Sequence, residues 1–258
     1  MPDDPLYRWS VYVVVGALLL IAVVKMPDKG LLILGRILPP NWMSVLHVPI
    51  AWVGWFWLYK QGYYFTGFMV MCLSGALDLA DGRAARAYDR LVGKPLKDQR
   101  LWTRMNHRGE TLLGQSLDPA CDKITFAPIF LDVCWTFCAL IAAVGHDGIS
   151  WPFYFGIFAI VLMLVADSCG QLLRLDYFKH WRREKKNKRA TKVGKYKTLA
   201  QWAWLALYPV WDQGWRPESA TYYLLCLDVA LVAVLILVVW SVLSKMRPFR
   251  VAWMQISI

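Results

Sequence analysis

The sequence predicts an all-α protein that crosses a membrane several times. Hydrophobic residues make up 58% of the 258 positions and the mean hydropathy is +0.38, unlike an average soluble protein. Apolar runs recur between polar segments, and about 20 apolar helical residues cross a hydrocarbon core of ~30 Å. Because a lone segment in lipid satisfies its backbone polar groups only as a helix, these runs predict a helical bundle.

Seven apolar runs are candidates for spans. In chain order they cover 9–25, 42–58, 67–81, 117–144, 151–175, 199–210 and 222–243. The run from Leu31 to Leu38 is too short to span and is expected to lie in the membrane interface. Asp3 and Asp4 precede the first run where a signal peptide would carry positive charge, so we expect an uncleaved anchor.

These runs predict three parts of the chain. Residues 1–41 would form the N-terminal anchor with its interfacial segment, and 42–245 would form the membrane domain. The last part, 246–258, would be a basic cytoplasmic tail.

The net charge of +11 is concentrated in the loops at 83–108 and 179–197 and at the C-terminus. The positive-inside rule places all three on the cytoplasmic side of a multi-pass protein. Such an excess of lysine and arginine marks topology and attracts anionic lipids, so we expect lipid partners and no nucleic acid. The polar stretch 86–110 is either an interfacial basic segment or a solvated loop.

Four aspartates at the edges of apolar runs are the strongest candidates for a functional site. The first group has the spacing i, i+3, i+4, i+7, i+8 and would share one helix face: Asp78, Asp81, Gly82, Ala85 and Arg86. The second group is spaced by four and would also share one face: Gly114, Asp118 and Asp122. The two faces together would make a cage of carboxylate oxygens on the cytoplasmic side.

The residue types of this cage predict phosphoryl chemistry with divalent ions. Carboxylates near a membrane are costly unless they are paired or bind metal, and hard oxygen ligands suit Mg²⁺ or Mn²⁺. Arg86 offers a forked donor that matches phosphate. Gly82 and Gly114 either let a ligand approach the helix backbone or serve close helix packing. Ala85 adds only a small side chain to the same face.

The pattern D-x2-D-G-x2-A-R, followed by G-x3-D-x3-D, resembles the signature of the CDP-alcohol phosphotransferases at all eight fixed positions. The resemblance implies a six-helix membrane core with a cytoplasmic active site, to which the span 9–25 is an addition. It also implies transfer of a phosphatidyl group from CDP-diacylglycerol to an alcohol, with release of CMP. The family often forms homodimers, so a homodimer is a further expectation.

The resemblance also implies a role for each matched residue. A centre of two Mg²⁺ or Mn²⁺ ions would be held by Asp78, Asp81, Asp118 and Asp122. Asp122 would in addition be the base that deprotonates the acceptor hydroxyl. The CDP site would be lined by Gly82, Ala85, Arg86 and Gly114.

One feature departs from the family pattern. Arg86 and Gly114 are separated by 27 residues, 87–113, where the family usually has a much shorter connection. We assign the surplus to an insert at 87–105 in the cytoplasmic loop. The insert would reshape or cover the acceptor entrance.

The stretch 194–198, G-K-Y-K-T, resembles the G-K-x-K-T of phosphatidylglycerophosphate synthases and favours glycerol 3-phosphate as the acceptor. Lys195 and Lys197, with Arg174, would bind its phosphate, and Asp167 would line the pocket. The lysines are alternatively topology markers, and the aspartate is alternatively a structural hydrogen-bond acceptor. Inositol, inositol phosphate, serine and choline are the alternative acceptors.

Two further expectations complete the prediction. A multi-span ion-coupled transporter is the rival from another functional class, but no internal repeat of the kind seen in such proteins is visible. His47, near the start of the second span, is expected to be a core histidine with satisfied hydrogen bonds rather than a ligand.

Overall fold

The structure is a computed structural model that describes residues 5–93, 100–144, 151–172, 196–205, 208 and 227–243. Its helices are α1 (Pro5–Lys25), α2 (Asp28–Ile37), α3 (Pro40–Trp52), α4 (Tyr64–Leu91), α5 (Leu101–Met105), α6 (Leu112–Val144), α7 (Trp151–Leu172), α8 (196–205) and α9 (Leu227–Leu243). A π-helical segment, Val53–Tyr59, continues α3. No strand occurs among the described residues, so the all-α prediction is confirmed.

Both halves of the aspartate motif lie inside helices, as their spacing predicted. Helix α4 runs past Arg86 to Leu91, so the first residues of the predicted insert are helical. No helix-breaking residue occurs in this stretch until Gly93, whose φ of +63° is the left-handed conformation that commonly ends helices. Helix α6 carries the second half of the motif and starts earlier than predicted, at Leu112.

One described helix is both long and apolar enough to cross a membrane, the stretch Ser116–Ala142 of α6. The stretches Val11–Lys25 and Asp28–Ile37 meet this criterion together, although they are bent by 101° at their junction. Helices α7 and α9 contain shorter apolar stretches. The number of seven spans therefore stays a prediction, as does the cytoplasmic tail, which lies outside the described residues.

The chain divides into two compact units, Met1–Ile129 and Phe130–Ile258. In the first unit, α1, α2, α3 and the π-helical segment all pack against α4. Four small buried residues on α4 allow this close packing: Ala76, Ala80, Ala84 and Ala87. The side chains that pack around Ala80 and Ala84 come from α1, α2, α3, the residue that follows α2, and α4 itself: Val23, Leu34, Met43, Leu38 and Leu77.

Two glycines bring the π-helical segment and α4 into backbone contact. A Cβ added at Gly67 would lie 2.6 Å from both the carbonyl oxygen of Gly54 and the backbone nitrogen of Tyr59. A Cβ at Gly54 would lie 2.9 Å from the carbonyl oxygen of Gly67. Backbone atoms cannot yield to such a group, so these two positions admit only glycine without rearrangement.

Polar side chains on α4 hold the sharp bend between α1 and α2. The guanidinium of Arg83 donates hydrogen bonds to the carbonyl oxygens of Val23 and Met26, the latter at 3.1 Å. Arg90 donates to both carboxylate oxygens of Asp28, at 2.9 and 2.7 Å. The hydrogen bond from Arg90 lowers the pKa of Asp28 below its usual value, which keeps this surface pair charged.

Pro128 interrupts the backbone hydrogen bonds of α6, and a tryptophan of α3 supplies the missing hydrogen-bond donor. Proline has no N–H, so the carbonyl of Ile124, four residues earlier, loses its helical donor. The indole Nε1–H of Trp52 donates to that carbonyl at 3.2 Å. The end of α3 is thereby tied to the middle of α6.

The second unit is held together by an aromatic core. Trp204 on α8 contacts Phe130 with ring centroids 5.3 Å apart and Tyr208 at 5.9 Å. Its indole nitrogen donates to the carbonyl oxygen of Leu227 at 3.0 Å, which ties α8 to the start of α9.

Candidate metal centre

The four predicted aspartates lie together in the first unit. One carboxylate oxygen from each of Asp78, Asp81 and Asp118 lies within 4.8 Å of the other two. Oxygens of Asp78 and Asp122 form a second group of the same size with a ring nitrogen of His47. Helices α4 and α6 therefore bring the two halves of the motif together, and Asp78 belongs to both groups.

Asp81 is held in place by two hydrogen bonds. The hydroxyl of Ser44 donates to its Oδ2 at 2.5 Å, and the backbone N–H of Gly82 donates to its Oδ1. The same hydroxyl lies 3.2 Å from the carbonyl oxygen of Pro40, but its single proton favours the carboxylate because charge-assisted bonds are shorter and stronger. Asp81 is thus a buried carboxylate with a fixed orientation.

Asn41 connects the start of α3 to the start of α6. Its amide Nδ2 donates to the carbonyl oxygen of Arg104 at 2.7 Å and to the hydroxyl oxygen of Thr111 at 3.2 Å. That hydroxyl oxygen also accepts a hydrogen bond from the backbone N–H of Gly114, at 2.9 Å. A Cβ at Gly114 would collide with Oδ1 of Asn41, so this glycine makes room for the amide.

The other predicted CDP-site residues follow Asp81 along α4. A Cβ at Gly82 would lie 3.2 Å from Nη1 of Arg86, so the guanidinium folds back over the glycine. Ala85 is buried, whereas Gly82 and Arg86 are partly exposed. Gly82 therefore provides space for the arginine head group, and the binding of CDP by these residues stays a prediction.

The donor atoms of this site suit divalent cations. Neighbouring carboxylates repel one another, and a cation between them relieves the repulsion. Asp78, Asp81 and Asp118 offer hard oxygen donors of the kind that Mg²⁺ and Mn²⁺ prefer. The residues present therefore fit the metal ions that the motif implies.

The matched motif, now placed on two adjoining helices, agrees with a comparison against protein families. The model of the CDP-alcohol phosphatidyltransferase family matches residues 37–92. The matched stretch contains Asp78 and Asp81, whereas Asp118 and Asp122 lie beyond it. No curated protein and no solved structure matches the chain significantly.

The family match covers residues 37–92 and bears on the class of reaction. It supports a CDP-alcohol phosphatidyltransferase enzyme and suggests phosphatidyl transfer from a CDP-linked donor. It does not distinguish the phosphatidylglycerophosphate synthases from other members of the CDP-alcohol phosphatidyltransferases. The acceptor and the use of two ions accordingly remain proposals.

The described part of the connection between α4 and α6 packs against the helices that carry the site. The indole of Trp42 donates to the side-chain oxygen of Asn106 at 3.3 Å and makes an edge-to-face contact with Trp102. At the end of α4, Asp89 accepts a hydrogen bond from the backbone N–H of Glu110 at 3.0 Å. Contacts with α3 and α4 thus anchor this segment beside the start of α6.

The predicted acceptor residues belong to the second unit, so far as they are described. Lys197 and Asp167 form a buried ion pair at 2.8 Å, with 9% and 8% of their side chains exposed. Gln201 donates to the other oxygen of Asp167 at 3.2 Å. These contacts agree with the alternative interpretation of Asp167 as a structural hydrogen-bond acceptor. Arg174 and Lys195 lie outside the described residues.

Three polar residues of α3 join the site, and the motif did not include them. Asn41, Ser44 and His47 are spaced by three, which places them along one side of the helix. Polar residues at this interval within an apolar run were the available signal. For His47 the expectation was wrong, because both of its buried ring nitrogens lack a hydrogen-bond partner among the residues that the structure describes.

Proposed function

We propose that this chain is a multi-pass membrane enzyme that transfers the phosphatidyl group of CDP-diacylglycerol to an alcohol, with release of CMP. Glycerol 3-phosphate is the acceptor we favour. The observation that carries the proposal is the meeting of the four motif aspartates, within 4.8 Å in two overlapping groups. The family match over residues 37–92 supports the same chemistry.

Each aspartate has a role in this proposal. Asp78, Asp81 and Asp118 would hold one Mg²⁺ or Mn²⁺ ion, and Asp78 and Asp122 would hold the other. When bound, the ions neutralise the diphosphate and stabilise the charge on the leaving CMP. Arg86, on the same face of α4 as Asp78 and Asp81, would donate hydrogen bonds to a phosphate of the CDP-linked substrate.

The transfer itself replaces one phosphorus–oxygen bond with another. A carboxylate oxygen of Asp122 takes the proton of the acceptor hydroxyl. The acceptor oxygen then bonds to the phosphorus of the phosphatidyl group, and the bond from that phosphorus to the bridging oxygen of CMP breaks. The electron pair of the broken bond leaves with CMP.

The surface of the helices supports the membrane location. Large apolar side chains are exposed on several described helices, among them Trp57, Trp135 and Phe158 at 73%, 75% and 64%. Extensive exposed apolar surface is unusual for a soluble monomer and suits contact with lipid. The basic loops would face the cytoplasm and attract anionic lipids, and the aspartates would then meet soluble substrates there.

The overall proposal is tested with purified protein in detergent. CMP release from CDP-diacylglycerol is measured with Mg²⁺ or Mn²⁺, and with glycerol 3-phosphate, inositol, inositol phosphate, serine or choline as acceptor. We expect release with glycerol 3-phosphate. Release with another acceptor alone would correct the substrate, and no release with any acceptor would reject the function.

The base role of Asp122 is tested by Asp122→Asn. The amide cannot take the proton, so we expect CMP release to be abolished while binding of CDP-diacylglycerol is retained. Asp132→Asn on the same helix is the control, because that residue is not part of the site. A near-normal rate of CMP release by Asp122→Asn would reject the base role.

A further inference from the structure

His47 is a buried residue beside the candidate metal centre, outside the eight motif positions. Its exposed fraction is 0%, and neither ring nitrogen has a hydrogen-bond partner among the described residues. One ring nitrogen lies within 4.8 Å of carboxylate oxygens of both Asp78 and Asp122. The hydroxyl of Ser74 on α4 donates to the His47 carbonyl at 2.7 Å, which fixes this turn of α3 against the site.

Such a histidine is unfavourable unless something binds it. A buried polar group without a hydrogen bond costs about 1–3 kcal/mol, and a neutral imidazole has one donor and one acceptor nitrogen to satisfy. The acceptor nitrogen has a lone pair and is a common metal ligand. A divalent ion shared with the two carboxylates would therefore satisfy it.

The distances allow this arrangement. Two donors that are each about 2.1 Å from one ion are at most about 4.2 Å apart. The three donor atoms here lie within 4.8 Å of one another, so small side-chain rotations would bring them around one ion. The same limit applies to the group formed by Asp78, Asp81 and Asp118.

We propose that His47 is a nitrogen ligand of one of the two ions, together with Asp78 and Asp122. The inference rests on the proposed function and makes the two metal positions chemically unequal. One position has oxygen donors only, whereas the other has a mixed set of nitrogen and oxygen. Because imidazole suits transition metals better than Mg²⁺, the mixed position should prefer Mn²⁺ or Co²⁺.

The direct test is pulsed electron paramagnetic resonance of Mn²⁺ bound to the full-length chain, purified without a histidine tag. The chain has four histidines, and the triple variant His107→Gln, His146→Gln, His180→Gln keeps His47 alone. We expect ¹⁴N modulation from a directly bound imidazole in this variant, replaced by ¹⁵N modulation when histidine is ¹⁵N-labelled. This labelling leaves the structure unchanged.

A second measurement identifies the position that His47 serves. In His47→Gln we expect Mn²⁺ binding at one of the two positions to weaken at least about tenfold, with the other position little changed. His107→Gln, in the connection between α5 and α6, is the matched control and should keep both affinities. If His47→Gln does not fold, the labelled triple variant still decides.

The outcomes separate this inference from the proposed function. Bound Mn²⁺ without histidine nitrogen modulation, together with CMP release, would overturn the role of His47 and leave the aspartate centre standing. Absence of both Mn²⁺ binding and CMP release would overturn both proposals. Histidine modulation without CMP release for any acceptor would support the ligand and reject the enzyme function.

Discussion

The hydroxyl of Ser44 offers a test of how the metal centre is built. Ser44→Ala removes the 2.5 Å hydrogen bond to the buried carboxylate of Asp81 and leaves every proposed ligand in place. A hydrogen bond to a charged group contributes about 1.5–3 kcal/mol. Since 1.4 kcal/mol corresponds to a factor of ten, the bond is equivalent to about 12- to 140-fold in an equilibrium constant.

Only part of this free energy should appear in metal affinity. The hydroxyl stabilises the carboxylate with and without a bound ion, so the remaining effect is the orientation of the Asp81 oxygens. Loss of a partner that orients a ligand typically costs 10- to 100-fold in affinity or activity. We therefore expect Mn²⁺ affinity and CMP release of Ser44→Ala to fall by about 10- to 100-fold.

The assay is a Mn²⁺ titration of the purified variant, combined with CMP release at saturating metal. Ser44→Thr is the matched control, because it keeps the hydroxyl at the same position, and it should remain close to the unmodified chain. A folded Ser44→Ala protein with Mn²⁺ affinity within twofold of the unmodified chain would refute the argument that this bond orients a ligand.

Two further predictions concern packing in each unit. Gly67→Ala should destabilise the protein by about 1–3 kcal/mol, because the new methyl group meets the backbone of Gly54. Gly35→Ala is the control. Its Cβ would lie 3.5 Å from Ala84, so its thermal unfolding should be unchanged. Breaking the buried pair by Lys197→Met should cost about 3–5 kcal/mol, and adding Asp167→Leu should recover most of it. Equal loss in both glycine variants would contradict the first prediction. A stable double variant that selectively loses activity with glycerol 3-phosphate would instead show that the pair serves the acceptor.

Local sequence patterns predicted the helices and the faces that carry the aspartates. The spacing of Asp78 and Asp81, and of Asp118 and Asp122, depends only on the repeat of a single helix, so it can be recognised without knowing the fold. The meeting of the two faces was a hypothesis, which the structure supports through the distances among their oxygens. The extension of α4 to Leu91 was missed because the prediction ended the helix where polar residues began.

Contacts between distant residues were not predictable in this way. Ser44 and Asp81 are separated by 37 positions, and Asn41 and Thr111 by 70. The sequence around Ser44 and Asn41 does not indicate which carboxylate or hydroxyl each side chain will contact. His47 was misjudged for the same reason, because a histidine in an apolar run is usually satisfied by groups that only the fold reveals.

Arg83 occupies one of the variable positions inside the motif, between Gly82 and Ala85. Positions 78, 81, 82, 85 and 86 cover one side of α4. Arg83 lies around the opposite side with four of the buried alanines, Ala76, Ala80, Ala84 and Ala87. Through its bonds to Val23 and Met26, this arginine fastens the N-terminal helices to the helix that presents the carboxylates. Helix α4 thus presents the carboxylates on one side and holds the bend between α1 and α2 on the other, so changes in α1 or α2 can reach the carboxylates through α4.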